Sequence, residues 1–288
     1  QRFWNENERF RLARFTIKAC KAAAWVSSRL RNFFAPEMRF CRSEKHSMGY
    51  LDPDLTEHLV SQFKSAELSG FDYCRDGFGF RSPSAMVVTV EDRDAIFCLI
   101  SIYFLKNCLG RKVLVADVGG GLAPFYLQFK EILNRSVSRW KIYEHKKLVS
   151  LSESLHFDRY DNLEFCESDP ASLDGADLIF FGSSLQYLCD YNTWLDSLDH
   201  TVNKLVVVDR LTMSDEPLPR KFRQVANFNG KVKTVMGWAI SEEWLLQRMK
   251  AMNYELITSY EARGYSGNRI WHKGFVFSSN EILNFDLC

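Results

Sequence analysis

Asp117-Val118-Gly119-Gly120-Gly121-Leu122-Ala123-Pro124 decides the fold of this 288-residue chain. The stretch follows a β-rich run, Val113 to Ala116, and opens a helical pattern marked by Phe125, Leu127, Ile132 and Leu133, with Pro124 suited to an early helical position. Glycines at such a turn let the backbone pass close to a ligand, and the free N–H groups at the helix start favour a carboxylate or phosphate. Glu144 ends the next β-rich run, Trp140 to Tyr143, 27 residues after Asp117. A carboxylate there can accept hydrogen bonds from both hydroxyls of a ribose. The dinucleotide fingerprint G-x-G-x-x-G asks for a third Gly where this chain has Pro124, which disfavours a nicotinamide cofactor.

Outward from this turn, short β-rich runs alternate with helical stretches. The runs are Val113–Ala116, Trp140–Tyr143, Leu163–Cys166, Asp177–Phe181, Leu205–Val208, Tyr254–Ile257 and Phe275–Phe277. Helices are marked by Phe125 to Leu133, Leu148 to Leu155, Trp194 to Leu198 and Leu245 to Met252, the last with Ser241 as its cap. This pattern predicts an α/β fold: a Rossmann-like, seven-stranded, mostly parallel sheet with helices on both faces and an N-terminal helical extension. The stretch from Leu211 to Ile240 reads as a long connection. Ahead of the sheet, a helix from near Glu91-Asp92 to Gly110 is apolar almost all round from Ile96 to Leu105, which predicts burial. Another helix starts at Asp52-Pro53. Three regions follow: a basic arm over 1–48, a helical cap over 49–110 and a ligand-binding domain over 111–288.

Lys and Arg total 37 against 36 Asp and Glu, a formal charge of +1, so the chain lacks the basic excess of a nucleic-acid-binding protein. Residues 1–48 nonetheless hold 11 Lys/Arg and 4 acids, a net of +7 that leaves −6 for the remainder. In that arm Leu12, Phe15, Ala19, Ala22, Val26, Leu30 and Phe33 share one helical face beside a basic stripe of Arg11, Arg14, Lys18 and Lys21. Two readings stand: a helix packed on the body, or an interfacial helix in peripheral contact with an anionic membrane surface. Its most apolar part, Ala19 to Val26, is too short to span a bilayer, and nothing in it reads as a secretory signal. The eight cysteines are scattered without metal or redox spacing, as expected of reduced, mostly buried thiols in a cytoplasmic protein. The six histidines show no metal-ligand spacing, so no metal is expected; surface or capping roles are expected for His46, His58, His156, His200 and His272, whereas His145 follows Glu144.

An acid two residues before the first Gly, then G-x-G-x-A, then an acid ending the second strand resembles the class I S-adenosylmethionine-dependent methyltransferases. More narrowly, Tyr73 to Phe78, Asp117 to Gly121, Phe181-Gly182-Ser183-Ser184-Leu185-Gln186-Tyr187-Leu188 and Val208-Asp209-Arg210-Leu211-Thr212 resemble a methyltransferase family found in bacterial polysaccharide-biosynthesis gene clusters. The similarity runs from about Tyr50 to Ser278, and Leu122-Ala123-Pro124 departs from the usual small residues of the glycine loop.

The resemblance implies S-adenosylmethionine as cofactor. Asp117, Gly119, Gly120 and Gly121 would border its methionine portion and Glu144 its ribose. Ser168 or Asp169 would lie near the adenine, with a polar turn before Pro170 as the plainer alternative, and Ser183 and Ser184 near the sulfonium. Methyl transfer to a hydroxyl needs a base but no metal. Many relatives carry a His after the fourth strand, where this chain has Leu185-Gln186-Tyr187; Gln186 can orient an acceptor but cannot act as a base. Asp209 is the first choice for base and Tyr187 the second, against a cap or Arg210 ion pair for the one and a core aromatic for the other. The basic residues after the fifth strand, Arg210, Arg220, Lys221 and Arg223 among them, suit an anionic acceptor, with a solvated loop as the alternative. The expected function is O-methylation of a saccharide or lipid-linked glycan. The rivals are a methyltransferase-like scaffold without turnover and, set back by Pro124, an oxidoreductase.

Overall fold

The computed structural model of the chain describes residues 38–40, 93–173, 175–200, 205–228, 231–262 and 269–279. The apolar stripe of the arm, the helix expected from Asp52-Pro53 and the Tyr73 to Phe78 segment lie outside them. The described strands are β1 (Met38–Phe40), β2 (Val113–Val118), β3 (Val137–Glu144), β4 (Leu163–Glu167), β5 (Leu178–Gly182), β6 (Leu205–Ser214), β7 (Arg220–Phe228), β8 (Lys231–Ser241), β9 (Tyr254–Glu261) and β10 (Ile270–Ser279). The described α-helices are α1 (Arg93–Leu109), α2 (Pro124–Ser136), α3 (Lys146–Ser154), α4 (Tyr191–Asp196) and α5 (Glu242–Ala251).

The seven expected runs form one sheet in the order β4-β3-β2-β5-β6-β10-β9, with the first five parallel and β10 antiparallel to both its neighbours. The chain starts in the middle at β2, builds outward through β3 and β4, then crosses to β5 on the other side. That reversal opens a crevice at the carboxyl ends of β2 and β5, where doubly wound sheets bind ligands.

Both faces of the sheet are covered, which explains why its strands are apolar without alternation. Val115, Trp140, Ile142, Phe180 and Val207 pack on one face with Cys98 and Ile102 of α1 and Tyr126, Phe129 and Leu133 of α2. Val118, Tyr143, Ile179, Phe181 and Val208 pack on the other with Trp194 of α4 and Leu245 and Met249 of α5. Ser241 caps α5 as expected, accepting from the Trp244 N–H.

Three expectations are corrected. The stretch from Leu211 to Ile240 is no loop: β6 runs on to Ser214, and β7 and β8 form an antiparallel hairpin in register from Arg220↔Ala239 to Phe228↔Lys231. Charge had masked it, because in sequence Lys221 and Arg223 alternate with Phe222, and Lys231 and Lys233 with Val232, as a strand requires. Within the basic arm, Met38–Phe40 is a strand on the edge of β7 rather than helix. On α1, Cys98, Ile102 and Leu105 point inward while Ile100 and Tyr103 are 57% and 66% exposed, so only one stripe of this helix is buried. The cysteines likewise divide: Cys98 is a buried free thiol, whereas Cys108 and Cys189 are exposed. No described helix is long and apolar enough to cross a membrane.

Candidate functional site

β2 delivers Asp117 to the crevice on the same face as α1 and α2. Its carboxylate is 1% exposed; Oδ2 accepts from Trp140 Nε1 at 3.0 Å, while Oδ1 is buried without a partner. Burial raises this carboxyl to about 7, against the pull of the Trp140 hydrogen bond and with a push from the Glu144 charge. A buried polar atom without a partner costs on the order of 1–3 kcal/mol, so such atoms accumulate where a ligand is to be met.

The glycine loop closes over that carboxylate. A Cβ on Gly120 would stand 2.4 Å from Asp117 Oδ2, and one on Gly119, whose φ is +71°, would stand 2.6 Å from Ser184 Cβ. Only glycine fits either place. The Gly119 N–H donates to the Tyr143 carbonyl, and the Ser184 hydroxyl donates to the Val118 carbonyl, so the loops after β2 and β5 are joined at the crevice floor. Pro124 takes the first turn of α2 after Ala123 turns the chain at φ 61°.

Glu144, at the end of β3, faces this loop. Its Oε1 accepts from the Gly121 N–H and its Oε2 from the His145 N–H, both at 3.0 Å. Each oxygen keeps a further lone pair for a hydroxyl. Burial raises the Glu144 carboxyl, with the two N–H groups opposing. The Ser168 N–H donates to the Glu144 carbonyl at 2.8 Å, which sets Ser168 beside the acid. Asp169 accepts from the Ala171 N–H at 3.0 Å and so caps the turn at Pro170, the plainer of its two readings.

On the other side of the crevice, Ser183 has a φ of +61° and its N–H donates to the Asp209 carbonyl at 3.0 Å. Gln186 Nε2 donates to the carbonyls of Ser183 and Arg210, tying the ends of β5 and β6 together, and its Oε1 is buried without a partner. Asp209, 8% exposed, shares a face with Asp117, and both carboxylates push the Cys98 thiol upward after burial has done most of it. Asp209 Oδ1 accepts from the Tyr260 hydroxyl at 2.9 Å.

Tyr187 does not suit the role of base. Its hydroxyl donates to Gln224 Oε1 at 2.8 Å, and burial pushes the phenol up to about 12. The expected cluster of cations also divides. Arg220 pairs with Glu216 at 3.1 Å; its strand neighbour Lys221 points to the opposite face, with Nζ 5.4 Å from the Trp238 ring centroid, and Arg223 shares the Lys221 face. Arg210 lies apart from these three, on β6. His272 is not at the surface: it is buried on β10, opposite Thr212.

Tyr260, Thr212 and Trp140 were given no site role from sequence, and His272 was given a surface or capping one. Gly274, alone within an apolar and aromatic strand, carried a signal for Tyr260, since an isolated glycine in a strand marks a bulge or a close approach. Two β6 residues, Asp209 and Arg210, stand opposite that one β10 residue, and the bulge gives Arg210 its φ of +49°. Among the described residues no cluster of His, Cys, Asp and Glu is arranged to hold a metal.

The fold defines a doubly wound α/β protein with its crevice at the topological switch point. No protein-family profile matches the chain, and no curated protein matches it in sequence. By structure it is similar to the 1,6-didemethyltoxoflavin-N1-methyltransferase of Burkholderia thailandensis, whose structure holds 1,6-didemethyltoxoflavin and S-adenosylhomocysteine. There the identity is 14% over 85% of this chain and 99% of that one, with a TM-score of 0.43. It is similar also to the CcbJ methyltransferase of Streptomyces caelestis, with 12% identity, 66% and 90% of the two chains and a TM-score of 0.44. A third is the magnesium protoporphyrin IX methyltransferase of Synechocystis PCC 6803, with 10% identity, 68% and 85% of the two chains and a TM-score of 0.43.

Proposed function

We propose that this protein is an S-adenosylmethionine-dependent methyltransferase that methylates a hydroxyl of a saccharide or lipid-linked glycan. The observation that carries the cofactor reading is Asp117 Oδ1, a buried carboxylate oxygen without a partner beneath a glycine loop, one strand away from Glu144. An ammonium group is the partner such an oxygen calls for, and Glu144 retains acceptor capacity for ribose hydroxyls. The residues therefore fit the cofactor, with Asp117 and Gly119 to Gly121 toward its amino-acid end and Glu144 toward its ribose. The saccharide acceptor is supported by the family resemblance of the motifs.

When bound, S-adenosylmethionine supplies a methyl group on a cationic sulfur, and the C–S electron pair stays on that sulfur as the acceptor oxygen gains its methyl. Asp209 takes the acceptor's hydroxyl proton, and the Tyr260 hydrogen bond holds its carboxylate in place. The joined loops at Ser184 and Gly119 fix the distance between the two halves of the crevice, and positioning of this kind supplies much of the catalysis in a transfer that needs no metal.

Calorimetric titration of the full chain with S-adenosylmethionine, S-adenosylhomocysteine and NAD tests the cofactor. The first two are expected to bind and NAD is not; tight NAD binding with neither sulfur compound bound overturns the proposal. Mass spectrometry of glycans incubated with the protein and cofactor should show a gain of one methyl group that is lost in Asp209→Asn.

A further inference from the structure

Of the four cations expected to suit an anionic acceptor, Arg210 stands in a setting that the methyl-transfer step itself does not use. Arg210 sits in the β6 bulge with its Nε buried and without a hydrogen-bond partner, and it forms no ion pair among the described residues. His272 on β10 is nine-tenths buried; its Nε2 lies 3.4 Å from Thr212 Oγ1, and its Nδ1 is buried without a partner. Burial, reinforced by the Arg210 charge, lowers the His272 imidazole to about 4, so it is neutral at physiological pH. Gln186, whose Nε2 holds the Arg210 carbonyl, is 2% exposed and leaves Oε1 without a partner. Three orphaned polar atoms thus belong to residues linked by a hydrogen bond or by charge, around one guanidinium that lacks a carboxylate.

A structural role does not account for this. A guanidinium that served only the fold would be paired, as Arg220 is with Glu216 and Arg269 with Asp215. A histidine on a covered strand face would be better replaced by an apolar side chain if Nδ1 met nothing. Bound anion resolves both: it accepts from Arg210 Nε–H, accepts from the Nδ1–H tautomer of His272 and neutralises the cation.

We propose that Arg210 and His272 form an anion-binding subsite beside Asp209 that holds a carboxylate or phosphate group of the acceptor. The inference rests on the methyltransferase reading only in calling the bound molecule an acceptor; anion binding itself does not depend on it. It places charge recognition at the β6 bulge rather than along β7, where Arg220 and Lys221 are already engaged.

The test is nitrogen-detected NMR of the full chain, titrated at constant ionic strength with inorganic phosphate and, separately, with acetate. The Arg210 Nε–H signal, assigned by its absence in Arg210→Lys, should shift saturably together with the His272 ring nitrogens. Arg210→Lys should weaken the anion felt at His272 by about tenfold, since lysine keeps the charge but not the fork of donors. His272→Phe, which keeps an aromatic ring there, should weaken the anion felt at Arg210. The arm that saturates first distinguishes phosphate from carboxylate as the preferred group. No saturable shift up to about 20 mM of either anion, weaker than any useful recognition energy, overturns the proposal, as does an unchanged affinity in both variants. Titration of the same sample with S-adenosylhomocysteine separates the two readings. Cofactor binding without anion binding removes the subsite alone, and anion binding without cofactor binding removes the methyltransferase reading alone.

Discussion

The hydroxyl of Tyr260 reaches Asp209 Oδ1 at 2.9 Å from a ring packed between Phe97 and Gly274. Phe97 of α1 stacks on it with centroids 3.9 Å apart and planes 6° from parallel, and a Cβ on Gly274 would stand 2.1 Å from its Cζ. Gly274→Ala therefore forces the strand or the ring to move. Overpacking of this kind costs about 1–3 kcal/mol. Tyr260→Phe keeps the stacking and removes one donor, a loss of about 1 kcal/mol. Thermal unfolding should lower Tm more in Gly274→Ala than in Tyr260→Phe. Under the proposed function, glycan methylation should fall in both, because each displaces the Asp209 carboxylate. Full activity in Gly274→Ala would show that the clamp does not set Asp209.

Asp117 predicts a trade of stability for binding. Its folded carboxyl lies near 7 against an ordinary 3.8, so between those values the folded protein holds a proton that the unfolded chain has released. Stability from this group is therefore full at acid pH and declines as pH rises toward and through 7. Asp117→Asn keeps an acceptor for Trp140 Nε1 and removes the buried charge. The variant should unfold several degrees higher than the wild type at pH 8, by a smaller margin at pH 5 and with little difference below the ordinary carboxyl value of 3.8, followed by calorimetry. Binding of S-adenosylhomocysteine at pH 8 should weaken at least tenfold in the same variant, as loss of a charge-assisted bond requires.

The seven-stranded frame was legible because its strands are covered on both faces and read as apolar runs, and because the turn at Asp117 to Pro124 marks its centre. The β7–β8 hairpin was not legible as such. Its charged residues alternate with apolar ones on strands β7 and β8, and cations in sequence proximity read as a loop until the pleat separates Arg220 from Lys221. The half of the crevice proposed for the cofactor sits within two strand ends and could be read locally. The proposed acceptor half could not, because Tyr260 reaches Asp209, and His272 reaches Thr212, only through the pairing of β10 with both β6 and β9. Their contacts depend on a bulge that one glycine hints at and no spacing specifies.

Asp177 ties the starts of β2 and β5 beneath the crevice. Its carboxylate, on a residue 3% exposed, accepts from both terminal nitrogens of Arg111 at 2.7 Å and from the Leu114 N–H at 2.9 Å. The hydrogen bond to Arg111 raises that guanidinium's pKa, and the Arg111 side chain is itself 56% exposed, so water already shares its charge. The larger loss on Asp177→Ala is thus the Leu114 N–H and the packing of the strand start. Urea unfolding should show about 2–3 kcal/mol lost in Asp177→Ala but about 1 kcal/mol in Arg111→Ala. Equal losses in the two would place the stabilisation in the ion pair instead.

Under the proposed function, Glu144 should be the residue on which cofactor affinity depends most steeply, because the same carboxylate orders the glycine loop and would meet the ribose. Its two oxygens receive the Gly121 and His145 N–H groups before any ligand arrives. Glu144→Ala removes both acceptors, frees the loop at Gly121 and takes away the partner for ribose hydroxyls. S-adenosylhomocysteine affinity should fall at least tenfold, measured by calorimetry, since each charge-assisted bond contributes about 1.5–3 kcal/mol. Glu144→Gln keeps one acceptor oxygen, and its amide cannot accept from the second N–H, so its loss should be intermediate. The same pair of variants separates loop order from ligand contact: a 2′-deoxyribose analogue of S-adenosylhomocysteine should bind wild type more weakly than the parent compound does, and that preference should disappear in Glu144→Ala. A preference for the 2′-hydroxyl that survives in Glu144→Ala assigns ribose recognition elsewhere in the crevice.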